Sequence, residues 1–141
     1  MYIGGSGVTV EDSEFQSNRA SSAGGIFIVN SYPEINGCWF EDNDAGAIGN
    51  LTASPTITNS IFVANQGNPN AAAGVTNASS SPLIYNCVFH ENSGWRGTII
   101  HNQDATSSPE VYNSIIWGNL IGSDPSGNPY HPIHGSTAIQ Y

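Results

Sequence analysis

The sequence predicts an all-β solenoid, about five coils of short, stacked parallel strands. Three observations predict it. One segment pattern recurs five times, its starts 22 to 27 residues apart. Within it, short β-branched and aromatic runs read as strands of three to five residues. Gly, Pro, Asn and Ser separate those runs, and neither a leucine ladder nor a 3.6-residue helical period is present.

The five copies are "VTVEDSEFQSN" from Val8, "PEINGCWFEDN" from Pro33, "PTITNSIFVAN" from Pro55, "PLIYNCVFHEN" from Pro82 and "PEVYNSIIWGN" from Pro109. Coils joined by strand pairing lie ~4.8 Å apart, so like residues pile into ladders. Val10, Ile35, Ile57, Ile84 and Val111 form one inner column; Phe15, Phe40, Phe62, Phe89 and Ile116 form another. Between these columns, Ser13, Cys38, Ser60, Cys87 and Ser114 fill a slot sized for a small side chain. Asn18, Asn43, Asn65, Asn92 and Asn119 mark a corner where an amide bonds the coils above and below, and Asn itself tolerates left-handed backbone there.

After each corner comes a second apolar segment: "GGIFIVN", "GAIGN", "GVTN", "GTIIHN" and "GSTAIQY". This reading places Ile3, Ile28, Ile48, Val75, Ile100 and Ile139 in one slot. It implies a whole number of turns, with both termini on one side of a single domain (1–141) and a loop insertion at 118–135 in the last coil. Neither a capping helix nor a polar lid is visible at either end. Open edges of that kind pair with other strands, so the chain is expected to be part of a longer β-helix or to stack head to tail into a filament.

Charge narrows the partners. The chain has 2 Lys+Arg against 11 Asp+Glu, a formal net charge of −9. That surface repels nucleic acid and anionic membranes, which are bound through Lys and Arg. No apolar run approaches the ~20 residues of a membrane-spanning helix, and "MYIGGSGVTV" lacks a signal-type apolar stretch, so no membrane insertion is expected. The amide and hydroxyl coat is common in secreted and cell-surface β proteins, which sets the expected location outside the cell.

At "FQSN", "FEDN", "FVAN", "FHEN" and "IWGN", with the looser "GGI", "GAI", "GVT" and "GTI", the chain resembles right-handed parallel β-helix proteins of the pectate-lyase-like superfamily. It is also similar to the FxxN and GGAI repeats of polymorphic outer membrane proteins. The resemblance covers essentially the whole chain and implies a right-handed parallel β-helix. The superfamily includes lyases, glycosidases, adhesins and filament-like surface proteins, so fold alone does not fix function. Lyases of the resembled superfamily use Ca²⁺ held by clustered Asp together with an Arg or Lys base; here only Arg19 and Arg96 are present, both in variable loops, and no Asp triplet stacks on one face.

Among candidate catalytic groups, Asp42 and Glu91 share a slot with Ala64 between, a separation of the order used by inverting glycosidases. No pocket is evident beside them, and carboxylates before a corner are ordinarily solvated. "EDNDAG" at 41–46 has oxygen ligands but no calcium-loop spacing, and His131 and His134 flank a proline in the insertion, as loop polar residues do. His90 and His101 complete the histidines, and neither a cofactor nor a metal is expected. Cys38 and Cys87, two coils apart, are too distant for a disulfide and are expected to be buried free thiols. "NLT" and "NAS" make Asn50 and Asn77 glycosylation candidates, expected in exposed loops just beyond strands.

The slot before Phe holds Glu14, Trp39, Ile61, Val88 and Ile115, and alternation turns it outward. With Tyr85, Tyr112 and Trp117 nearby, it forms a patch that calls for a partner or for a cover supplied by the last insertion. Stacked aromatics there also suit sugar rings. The expected role is a non-enzymatic structural or adhesive module, with a carbohydrate-active or sugar-binding β-helix as the alternative.

Overall fold

The structure is a computed structural model that describes residues 1–95, 99–122, 131–135 and 137–140. Among the described residues every strand pair is parallel, and the pairs build three long sheets and a fourth of two strands. Face A stacks Tyr2–Ile3, Ile26–Val29, Ile48–Leu51, Val75–Ala78, Ile100–Asn102 and Ile133–His134. Face B stacks Thr9–Glu11, Glu34–Asn36, Thr56–Thr58, Leu83–Tyr85, Glu110–Tyr112 and Ala138–Gln140. Face C stacks Glu14–Gln16, Trp39–Glu41, Ile61–Val63, Val88–His90 and Ile115–Trp117. The chain visits A, B and C in that order, one strand on each per coil, so the fold is the expected parallel β-helix.

Register follows the repeat on faces B and C. Val10, Ile35, Ile57, Ile84 and Val111 are paired neighbours, as are Phe15, Phe40, Phe62, Phe89 and Ile116. The phenylalanine rings lie parallel, with centroids 5.0, 4.8 and 4.5 Å apart up the stack. Phe40, Phe62 and Phe89 are fully buried, whereas Phe15, with a ring on one side only, is half-buried. Gly74 lets face A approach this stack: a Cβ there would sit 2.4 Å from the Ile99 carbonyl oxygen and 3.1 Å from the Phe89 ring.

The asparagine corner is a ladder, as expected. Asn43 Oδ1 accepts from the backbone N–H and the amide of Asn18 (3.2 and 3.0 Å), Asn65 Oδ1 accepts likewise from Asn43, and Asn92 Oδ1 from Asn65. Asn119 closes the series by accepting from Asn92. The amides of Asn43, Asn65, Asn92 and Asn119 also reach down to the backbone of the coil below, as Asn65 Nδ2 does to the Phe40 carbonyl at 2.9 Å. The left-handed backbone, however, falls one residue earlier than the asparagine. Ser17, Asp42, Ala64, Glu91 and Gly118 carry φ of 51 to 66°. A second such column, Asp12, Gly37, Asn59, Asn86 and Asn113, turns the chain from face B to face C.

Face A departs from the expected register. Ile26, Ile48, Val75, Ile100 and Ile133 are in line, Ile3 pairs with Ile28, and Ile28 pairs with Asn50. Ile139 is on face B, beside Val111. Ile3 and Ile139 therefore do not share a slot, and the described strands number six on face A, six on face B and five on face C rather than a whole number of turns. The reason is local to the last coil. Ile133, just after Pro132, takes the face A position, which leaves "TAIQ" to enter face B. The expected insertion at 118–135 is correspondingly shorter: Leu120–Ile121 pairs with Ser93–Gly94, Ile133–His134 belongs to face A, and residues 123–130 lie outside the described residues.

Candidate functional site

Because Phe points inward on face C, its neighbours on either side point out. One outward column is Glu14, Trp39, Ile61, Val88 and Ile115; the other is Gln16, Glu41, Val63, His90 and Trp117. Trp39 at 39%, Ile115 at 62% and Trp117 at 69% are exposed, whereas Ile61 and Val88 between them are half-buried. Across the corner, Tyr85 and Tyr112 pair on face B, with Tyr85 exposed and Tyr112 half-exposed. Trp39, Ile61, Val88 and Ile115 are thus neighbours from coil to coil on face C, and Tyr85 and Tyr112 are neighbours on face B.

Polar groups on this surface are tied to its aromatics. Glu41 accepts from Trp39 Nε1 at 3.1 Å and from Gln16 Nε2 at 3.2 Å. The His90 ring stacks on Trp117 with centroids 4.6 Å apart, its Nδ1 is 3.1 Å from the Trp117 carbonyl oxygen, and its Nε2 is 3.1 Å from Glu91. Tyr112 donates to Glu110 at 2.6 Å, a bond to the carboxylate that raises the phenol above its ordinary pKa. Acidic groups gather at the lower coils: Glu11, Asp12, Glu14, Glu34, Glu41, Asp42 and Asp44 all precede residue 45, and Arg19, paired with Asp44 at 3.0 Å, is the cation among them.

Asp42 and Glu91 occupy the left-handed corner positions two coils apart, with Ala64 between. Asp42 accepts from Ser17 Oγ at 3.1 Å, and Glu91 faces His90, so each already serves a surface contact. Among the described residues, no three His, Cys, Asp or Glu side chains come together as a metal site would require. In "EDNDAG", Asn43 is buried in the ladder and Asp44 forms bridges with Arg19 and Gln66, so this stretch is part of the coil wall rather than an exposed turn. Arg19 likewise belongs to the coil wall and not to a variable loop, whereas Arg96 lies outside the described residues.

Cys38 and Cys87 are free and buried. Cys87 packs its sulfur 3.4 Å from the Tyr85 carbonyl oxygen, and burial pushes its thiol up to about 11; burial raises Cys38 as well. Neither thiol is poised for reaction at neutral pH.

The glycosylation candidates are not in exposed loops. Asn50 and Asn77 lie within face A strands with side chains turned inward, 2% and 0% exposed. They form a second amide ladder, Asn50 donating to Asn77 and Asn77 to Asn102, each at 2.9 Å. Asn50 Oδ1 has no partner, because the coil below offers Ile28 at that position and no donor. Parity explains the misplacement: Ile48 faces in, so Asn50 two residues on faces in too.

Sequence reasoning missed a recess beyond the asparagine corner. It has a volume of about 480 Å³ and is lined by Gln66, Gly67, Ser93, Gly94, Trp95, Leu120 and Gly122. Trp95 and Leu120 are well exposed beside it. These residues sit in the part of the coil that varies between repeats, where no ladder pattern draws attention to them. Among the described residues there is no helix long and apolar enough to cross a membrane.

A family profile described as a right-handed β-helix region matches residues 1–133. The chain belongs to the right-handed β-helix family. No significant match was found among curated proteins or among solved structures. The β-helix thus combines a regular interior with a surface whose acidic groups gather at its lower coils.

Proposed function

We propose that this β-helix is a non-enzymatic structural or adhesive module working outside the cell, a rigid rod that presents face C to a partner. The observation that carries this reading is the unbroken outward column Trp39, Ile61, Val88 and Ile115, with Trp117 and Tyr85 beside it. A soluble surface ordinarily avoids contiguous apolar stripes unless something binds there. The carboxylates support the same reading, since Asp42 and Glu91 are engaged with neighbouring side chains and neither lines the recess. Extension of the rod by strand addition at its end coils, within a longer β-helix or between copies in a filament, belongs to the same proposal.

Exposed Trp95 over the recess with Gln66 and Ser93 favours one other reading, a sugar-binding or carbohydrate-active β-helix. Incubation with acidic and neutral polysaccharides separates the two. The structural reading expects no reducing-sugar release. Release that disappears in Asp42→Asn or Glu91→Gln overturns it and makes the protein an enzyme. Negative-stain images decide the assembly component: rods of indefinite length support copy-to-copy extension, and uniform short particles remove it.

A further inference from the structure

We propose that face C is a docking surface for an amphipathic α-helix of another protein, apolar along one stripe and basic toward its N-terminal end. The inference rests on the adhesive reading above and names its partner.

Spacing is the first argument. Trp39, Ile61, Val88 and Ile115 stand in register on consecutive coils, ~4.8 Å apart. A helix laid along that column brings its apolar stripe round once per ~5.4 Å turn. Over the three steps from Trp39 to Ile115, about 14 Å of column meets about 16 Å of helix, so each turn finds a rung. An extended strand laid the same way repeats its side chains every ~6.8 Å and loses register within two rungs.

Charge is the second argument, and it chooses the chemistry and the direction. At the lower end of the same face stand Glu14 and Glu41, with Asp42 at the adjoining corner. Glu91, at the upper end, is already opposite His90. A partner with Lys or Arg beside Glu14 and Glu41 neutralises the lower end, and the positive end of its helix dipole adds to the attraction. A second copy of this chain does not satisfy these conditions. It brings 11 acidic residues and 2 basic ones, and a parallel copy sets acid against acid.

The test uses a labelled synthetic 18-residue peptide of Ala, Leu and Lys, with leucines at every third or fourth position and lysines confined to the first two turns. Fluorescence anisotropy is expected to give a Kd below ~100 µM that weakens as salt is raised. Val88→Lys should weaken it at least tenfold, and the double variant Glu14→Gln, Glu41→Gln should flatten the salt dependence. All three positions point outward, and unchanged melting temperatures would show that the variants fold. The proposal is overturned by no binding, by equal binding of a peptide with glutamates in place of lysines, or by a dimer of the protein alone that Val88→Lys dissolves. Failure of peptide binding in a catalytically silent rod removes this partner only, whereas polysaccharide cleavage removes the adhesive reading itself.

Discussion

Phe62 and Phe89 lie ring over ring, 4.5 Å between centroids and 10° from parallel, because each side chain occupies the same position of successive coils. Phe62 has a second ring beneath it, Phe40 at 4.8 Å. Removing it opens a void that neighbours on both sides line and that the fixed coil spacing prevents from collapsing. Phe62→Ala is expected to cost about 3–5 kcal/mol, and Phe15→Ala, at the half-buried end of the stack, clearly less. Urea unfolding of the two variants checks this; equal losses would mean that the rings do not act as a column.

Asn65 uses every polar atom of its side chain. Oδ1 accepts twice from Asn43, and Nδ2 donates to Asn92 and to the Phe40 carbonyl. Asn65→Asp is nearly isosteric, yet it turns a buried donor pair into an acceptor facing two acceptors. It is expected to destabilise more than Asn65→Ala, which leaves partners unsatisfied at about 1–3 kcal/mol each. Moderate acidification should recover part of the Asp variant's stability, by protonating the carboxyl, and none of the Ala variant's.

Ala64 holds φ at 53°, where its Cβ crowds the following carbonyl. Gly118 holds the equivalent place two coils above with φ 66°, and a Cβ there would meet the His90 ring at 3.1 Å. Ala64→Gly should therefore stabilise by about 0.5–1 kcal/mol, the relieved strain exceeding the entropy gained by the unfolded chain. Gly118→Ala should do the opposite. Calorimetric melting temperatures moving in those two directions would verify the corner geometry.

Asp104 gathers donors from two coils: Ser79 N–H and Oγ on one carboxylate oxygen, and the N–H and hydroxyl groups of Thr106 and Ser107 on the other. These bonds hold its pKa well below the ordinary carboxylate range, with the Thr106 hydroxyl the largest cause. A depressed folded-state pKa contributes stability that is complete above the unfolded value, near 4, and is lost as pH falls below it. Asp104→Ala should accordingly narrow the stability difference between pH 6 and pH 2. An unchanged pH profile would show that solvent screens this exposed group entirely.

Faces B and C were legible in the sequence because their inner columns fall at fixed offsets from one another, small residue, Phe and Asn never shifting. Face A was not, since the connections preceding it differ in length from coil to coil and several of its residues offer an Ile. Counting to the last Ile chose Ile28, while pairing selected Ile26. The left-handed corners escaped for another reason. Ser17, Asp42, Ala64 and Glu91 share no chemistry, and the asparagine that follows them is conspicuous for a hydrogen-bonding role of its own. Of the candidate surface, Trp39 to Ile115 was readable from alternation alone, but Trp95 and its recess depend on how the variable part of the coil packs.

Inward-turned Asn50 and Asn77 bear on how this chain is made. An oligosaccharide attached to either amide before its coil closed would have to be accommodated where the rod is solid, and the amide series running to Asn102 would break. In a compartment that adds such chains, modification and maturation compete for the same nitrogen. Any molecule that carried the sugar there would be one whose coil had not closed before the amide was modified.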